Sequence, residues 1–542
     1  MAEFDYIVIG AGSAGCVLAD KLSENGLHRV LVLEAGGSDR KFWIKVPIGY
    51  GRTFHDENVN WRYETSPCKG LNGQTSYWPR GKVLGGSSSI NALCYFRGLP
   101  ADFDGWRDLG NIGWGWEDVL PQFQRFERFV NVAGVEENTN PLHISHVYED
   151  MHPLKNYFKR AASELGVTYN HHMNGPNPEG FGPYQITTKK GVRCSAADAF
   201  LRPALKRHNV QLESHAHATR LLFEGNTAVG VEYSQNGVTT RALAKREVIV
   251  SAGAVNSPML LQQSGVGPIG LLQQHRIDVI LDSPAVGENL QDHLAVSYSY
   301  IANVPTLNDE LHSWVGKLWA GMKYTLLRKG PLSMSVNQNG GFVRTSDDLK
   351  QPDLQLYFNP ITYSIREENN KQPAMNPDPY SGFIFSFQPC RPTSRGRLQI
   401  TSSNPFDKPK IEPNYLSTDK DIADVIAGAR YIKRLSQTTA MRELTKEVLE
   451  PNVSAMNDDD IVSDFRRRAG TVYHPVGTCS MGIDAHNSVV DPTLRVHGLK
   501  QLRVVDASVF PTLTSGNTNA PTIMVAHKAA DLILAAADRS KP

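Results

Sequence analysis

Gly10-Ala11-Gly12-Ser13-Ala14-Gly15 is a G-x-G-x-x-G loop, and its spacing suits the cradling of a pyrophosphate. The first glycine permits a tight turn and the second lets backbone approach the phosphates. The third lets a helix pack on a strand with its N-terminus toward the anion. Glu34 stands nineteen residues beyond Gly15, where a carboxylate accepts hydrogen bonds from ribose hydroxyls. A ligand-free glycine turn is the bland alternative, but strand, helix, strand and acid in this order favour a dinucleotide. The second candidate is His474, in Tyr473-His474-Pro475-Val476-Gly477-Thr478. A neutral imidazole can accept a proton near pH 7, and the flanking proline and glycine would restrict its ring. Taken alone it reads more readily as one of many packed histidines. Asn519, just before Pro521, is either a carboxamide that orients a substrate oxygen or a helix cap. His215 and His217 alternate along a strand, which reads as a solvated face. No metal site is expected.

Positioning these residues requires particular elements. Asp5 to Ile9 is a β-branched run closed by Gly10, and so a buried parallel strand. Ala14 to Leu22 is helical in composition and ends near Asn25-Gly26; Arg29 to Leu33 is the next buried strand. This is a βαβ unit. Residues 36–98 are rich in Gly, Ser and Trp and read as extended loops. Within them, residues 80–93 (RGKVLGGSSSINAL) are dense enough in Gly and Ser to bring backbone amides close to a flat ring system. Residues 251–258 (SAGAVNSP) end a strand with small residues, as a crowding cofactor requires. Trp106 to Phe129 reads as a helix, as do Leu154 to Leu165, Ser195 to Lys206, Leu311 to Leu327, Asp419 to Leu435 and Pro521 to Ala537. Strands are expected over 210–214, 218–223, 228–233, 247–251, 354–358, 383–387, 396–400 and 502–505.

Composition sets limits. A chain of 542 residues is long for one core, so two domains are expected. With 56 basic and 55 acidic residues, the net charge of +1 argues against nucleic acid or an anionic membrane as the main partner. Six scattered cysteines without a C-x-x-C pair indicate reduced thiols. No run of 18 apolar residues suggests a transmembrane segment. The N-terminus runs directly into a strand, so a cytoplasmic location is expected, with peripheral contact to the inner membrane left open.

These segments together resemble the glucose–methanol–choline oxidoreductases, an FAD-dependent family. One family signature is similar to Pro79–Arg97 and another to Gly253–Gly267. Residues 286–293 (VGENLQDH), 473–482 (YHPVGTCSMG) and 515–522 (SGNTNAPT) are also typical. The likeness runs the length of the chain, toward the bacterial choline-dehydrogenase-like branch, which includes aliphatic, aromatic and sugar alcohol oxidisers. It implies that Gly10, Gly12, Gly15 and Glu34 hold the ADP half of FAD, with the Ala218 backbone at the adenine. It places Gly85, Ser87, Asn91, Ala92, Leu93 and Ala252 along the flavin side. Asp506 and Ala507 would reach the ribityl or pyrophosphate, and Asn519, Pro521 and Thr522 would close the wall. His474 and Asn519 fall on the family's catalytic pair, with Tyr473, Gln338 and Phe385 expected at the substrate.

The fold implied is α/β: a Rossmann-like (βαβ) FAD domain and a second α+β substrate domain on an antiparallel sheet. The FAD domain is expected from residues 1–150, 190–298 and 470–542, and the substrate domain from 151–189 and 299–469. Covalently flavinylated members carry histidine where this chain has Ile90, so FAD is expected to be non-covalent. Many relatives carry glutamate at Gln338, and its loss here counts against choline. Glutamate is also common at the place of His527, a change without a functional reading. The expected reaction is oxidation of a neutral primary alcohol, aromatic or medium-chain, to the aldehyde by hydride transfer to flavin N5. The motive for an apolar alcohol is Tyr357, Phe358, Phe385 and Phe387 on expected pocket strands. Choline or sugar alcohol oxidation and a non-redox hydroxynitrile lyase are the alternatives. The acceptor would be oxygen, a quinone or another carrier. Val472 is a small apolar neighbour of the flavin in this reading.

Overall fold

A computed structural model describes residues 2–130, 135–366 and 374–539. Two seven-stranded sheets organise it. In the first, the strands Val210–Ser214, Val30–Glu34, Ala2–Ile9 and Val238–Val250 run parallel in that order. Thr227–Gln235 and Ala216–Glu224 extend it antiparallel. The strand Val238–Val250 is far longer than the expected 247–251. Its first half pairs with Thr227–Gln235 and its last three residues pair in parallel with Leu502–Val504. Val30–Glu34 and the ends Tyr6–Ile9 and Val248–Val250 are buried on both sides, as near-continuous apolar sequence dictates. The helix Ser13–Ser23 covers one face and packs against the last helix, Asn519–Arg539.

The second sheet is antiparallel, in the order Thr445–Val448, Leu294–Ala302, Gly382–Pro389, Leu354–Asn359, Asn339–Val343, Gly180–Pro183. Side chains alternate along its strands. Phe383, Phe385 and Phe387 face one way, into a core with Phe158, Phe181 and the helix Asp419–Ser436. Ser386, between them, faces the other way, into the cavity described below. Leu294–Ala302 crosses the expected boundary at residue 298, and its first residues pair with Gly470–Thr471. That short pairing is how the C-terminal segment is laid against the second sheet.

Three sequence expectations are corrected. Trp106–Phe129 is not one helix: Gly110 and Gly113, at φ 95° and 87°, separate Pro100–Asp108 from Trp116–Phe126, and Glu127–Val130 is a strand. Residues 36–98 are not simply extended: they hold short helices over Phe42–Lys45 and Tyr50–Thr53 and the two-stranded pair of Tyr63–Glu64 with Tyr77–Trp78. Leu311 to Leu327 divides into Leu307–Leu311 and Trp314–Leu327. Among the described residues one helix, Asn519–Ala537, is long and apolar enough to cross a membrane by composition. It is mostly buried against the first sheet's helices, which gives its apolar surface a place in the core.

Candidate active site

A single cavity of about 850 Å³ runs from the G-x-G-x-x-G loop to His474. Stretches distant in sequence wall it, among them the loop and Glu34, residues 79–94, residues 251–260, and the segments around 470–475 and 517–522.

At the nucleotide end, a Cβ on Gly10 would lie 2.6 Å from the Ser251 carbonyl oxygen. One on Gly15 would lie 1.8 Å from the Gly10 carbonyl oxygen. Only glycine permits these approaches. A Cβ on Gly12 meets nothing nearer than 4.0 Å, so that face of the loop is open to a ligand. Glu34 accepts from the amides of Ala11 (2.9 Å) and Gly36 (2.7 Å), and burial raises its carboxyl to about 7. Asp506 is committed to structure: it accepts from Gly253 N, Ser257 Oγ and Ser508 N, and so anchors the start of the helix Gly253–Gln263.

Gly10, Gly12, Glu34, Ser87, Asn91, Ala92, Leu93, Ala218, Ala252, Asp506, Ala507, Asn519 and Thr522 all line the cavity. Gly15, Gly85 and Pro521 do not line it; the first two shape the loops behind the wall. His217 is not on a solvated face: it lies in the wall, edge-on to Trp61 and Phe406. Among the described residues no cluster of His, Cys, Asp or Glu could hold a metal.

At the other end a chain of hydrogen bonds fixes His474. His293 Nε2 lies 2.8 Å from the Cys390 carbonyl oxygen, which can only accept, so Nε2 carries hydrogen. Burial holds His293 neutral, lowering it to about 4, so its Nδ1 is an acceptor. His474 Nδ1, 3.0 Å away, must therefore donate. That leaves Nε2 of His474 as an acceptor, and Nδ2 of Asn517 donates to it at 3.0 Å. Burial first, then the neighbouring His293 and the Arg80 charge, hold His474 well below the usual imidazole range. Oδ1 of Asn517 is buried and has no hydrogen-bond partner among the described residues.

The backbone around His474 is clamped. Asp292 accepts from His474 N (2.8 Å), Thr471 Oγ1 (2.6 Å) and Tyr415 Oη (2.6 Å). Arg80 donates to the Tyr473 carbonyl oxygen (2.7 Å). Tyr473 has φ 70°, a left-handed conformation costly for a bulky residue. The clamp sustains it, and its ring packs edge-on to Phe54 at 5.2 Å. Phe54 in turn meets Tyr50.

The pairing of His474 with Asn519 is corrected: its partner is Asn517. Asn519 opens the last helix and accepts from Ser13 Oγ (2.7 Å), tying that helix to the glycine loop. Two residues along an irregular segment are enough to exchange the two roles. Gln338 is not at the site; its Oε1 accepts from the His152 amide, and it is buried away from the cavity. Phe385, with Phe358 and Phe387, belongs to the core, and only Tyr357 of that group lines the cavity. His293, Asp292 and Arg80 had no assigned role in sequence. Their signal was present, since residues 286–293 and 79–97 had already been singled out as motifs.

An open-faced glycine loop on a helix N-terminus, a buried acid and backbone-rich walls fit the dinucleotide half of FAD. The cavity then leads directly to the neutral His474 imidazole. This is the architecture of a flavin-dependent oxidoreductase. The chain belongs to the GMC oxidoreductase family, whose models match residues 4–295 and 392–526. It is 42% identical to the alcohol dehydrogenase (acceptor) of Pseudomonas putida, over 99% of this chain and 96% of that one. It is also 42% identical to the oxygen-dependent choline dehydrogenase of Vibrio vulnificus, over 98% and 94%. Among solved structures, a formate oxidase of Aspergillus oryzae, studied for FAD modification, superposes with a TM-score of 0.90. That match has 25% identity and covers 99% of each chain. The protein is an FAD-dependent alcohol oxidoreductase.

Proposed function

We propose that the substrate is a neutral primary alcohol, aromatic or medium-chain aliphatic, oxidised to its aldehyde. The observation that carries this reading is the His293–His474–Asn517 chain, which holds His474 Nε2 unprotonated beside the Asn517 amide N–H in the wall of the cavity. His474 Nε2 takes the hydroxyl proton, and Asn517 holds the substrate oxygen. Bound FAD supplies the acceptor of the hydride, at flavin N5. The proton and hydride together account for the two hydrogens lost from the alcohol.

An uncharged substrate is supported by the lining. Tyr50, Phe54, Val336, Tyr363, Met375 and Tyr473 belong to one apolar cluster at this end. The carboxylates among the described lining residues are Glu34, Asp407 and Asp506. Two of them are held by backbone amides, and none belongs to this cluster. This replaces the sequence argument from Gln338. FAD is held non-covalently in this reading, since the aliphatic side chain of Ile90 lines the wall at the family's linkage position. Oxygen or a quinone-like carrier would reoxidise it.

The test is anaerobic single-turnover bleaching of the flavin with hexanol, benzyl alcohol and choline. Bleaching by the first two, lost in His474→Ala, is expected. Efficient choline oxidation with no reaction from the neutral alcohols would overturn the substrate assignment.

A further inference from the structure

The helix Trp314–Leu327 turns its apolar side outward. Trp314 is 75% exposed, Trp319 69% and Leu326 75%, with Val315, Leu318 and Met322 also exposed. At 100° per residue these six occupy one continuous arc of about 140°. Ala320 and Tyr324, on the opposite side, are buried. The cations flank the arc: Lys323 lies on one side and Lys317 on the other, with Arg328 and Lys329 just beyond the end of the helix. From Gly316 to Gly330 there is no acidic residue. Lys317, Lys323 and Lys329 form no ion pair among the described residues. The nearest carboxylates in sequence are Asp309 and Glu310 on the preceding short helix. Asp309 accepts from Ser381 and from the Thr306 amide.

The helix is properly terminated. Ser313 caps the Gly316 amide at 3.0 Å, and Arg328 closes the other end at φ 56°. It is therefore a well-formed helix that displays tryptophan and leucine. Such a surface on a nearly neutral protein calls for an occupant.

We propose that this helix lies in the plane of an anionic lipid bilayer and docks the enzyme there. A continuous apolar arc, indole rings and flanking lysines are what an interfacial helix requires. The apolar residues enter the acyl boundary, tryptophans sit at headgroup level, and ammonium groups meet anionic headgroups. A protein partner or a second copy would bury the apolar arc equally well. It would give no reason for free cations along both of its edges. The balanced net charge had argued against an anionic membrane; the local pattern overrides that average.

The position adds a consequence. Ala320, on its inward side, and Leu311 of the preceding short helix pack in the same cluster as Tyr50, Phe54 and Val336 of the cavity wall. The turn that follows the helix, Pro331–Ser333, contacts Pro47–Gly49, which leads into Tyr50. The docking helix thus backs the apolar end of the cavity, so alcohols dissolved in the bilayer are delivered beside it.

Flotation of the FAD-loaded protein with phosphatidylcholine vesicles, with and without phosphatidylglycerol, tests this. Wild type should float with phosphatidylglycerol vesicles and release in high salt. Trp314→Ser/Trp319→Ser should lower the bound fraction by about tenfold or more. Lys317→Glu/Lys323→Glu should abolish the preference for phosphatidylglycerol. Both variants should keep bound flavin and the parent melting temperature, which separates docking from folding. Vesicle binding needs no substrate, so it stands or falls apart from the alcohol assignment. Failure of wild type to float, or equal binding by the tryptophan variant, would overturn the proposal. So would a wild-type dimer that the same substitutions convert to monomer.

Discussion

At His474 the chemistry depends on which nitrogen carries hydrogen, and a neighbour decides that. His474→Ala should slow single-turnover flavin reduction on the order of 10²- to 10⁴-fold while FAD stays bound. Asn517→Ala should cost less, and the double variant should fall short of the product, since both groups act on one hydroxyl. Asn519→Ala should instead loosen FAD, seen as faster flavin release, because its bond is to Ser13. His293→Phe removes the acceptor for His474 Nδ1 and frees the ring to adopt the other tautomer. A loss on the order of 10²-fold or more in the reduction step is expected, and His293→Asn, which offers an amide oxygen, should restore part of it. A merely structural role for His293 would give no such rescue. The pH profile carries the same information. The folded pKa of His474 lies below 6.5, so the neutral base persists as pH falls through that value. Stopped-flow reduction should accordingly hold its rate across pH 6.5.

Among the elements, the glycine loop tolerates least. Gly15→Ala would drive a methyl into the Gly10 carbonyl, so the helix Ser13–Ser23 must separate from the strand before it. The variant should purify without yellow colour, read as a lost absorbance band near the flavin maximum. This unit was the most legible part of the sequence, because its buried strands, turn and acid are contiguous. The irregular segments were less so. Nothing local distinguishes Asn517 from Asn519 in Asn517-Thr518-Asn519; only where Asn519–Arg539 begins does so. Phe385 was misplaced for a related reason: alternation says that neighbours part, and the register with Leu294–Ala302 decides which way. Gln338 was read from a glutamate in relatives, and its actual tie to the His152 amide is a contact across 186 residues.

For the molecule as a whole, buried neutral histidines set the acid limit. His293 and His527 are lowered to about 4, chiefly by burial. His527 bonds Gln122 and joins the last helix to Trp116–Phe126, away from the cavity. Below 6.5 the unfolded chain binds protons there and the folded one does not, so stability falls from pH 6.5 toward 4. The slope is at most about 1.4 kcal/mol per pH unit for each. Denaturant midpoints measured across that interval check it. Flavin works in the other direction: added at about 100 times its dissociation constant it should contribute about 2.7 kcal/mol, seen as a rise in melting temperature.

The tie between Ser13 and Asn519 spans 506 residues, and it has a consequence for synthesis. The strand Ala2–Ile9 leaves the ribosome early, yet its partner Val238–Val250 emerges hundreds of residues later. The helix that closes the glycine loop, Asn519–Arg539, emerges after both. A nascent chain halted before Asn519 has a complete glycine loop, while the wall that holds the cofactor against it is missing. Flavin retention is therefore expected only once Asn519–Arg539 is present, and a chain cut before Asn519 should purify colourless.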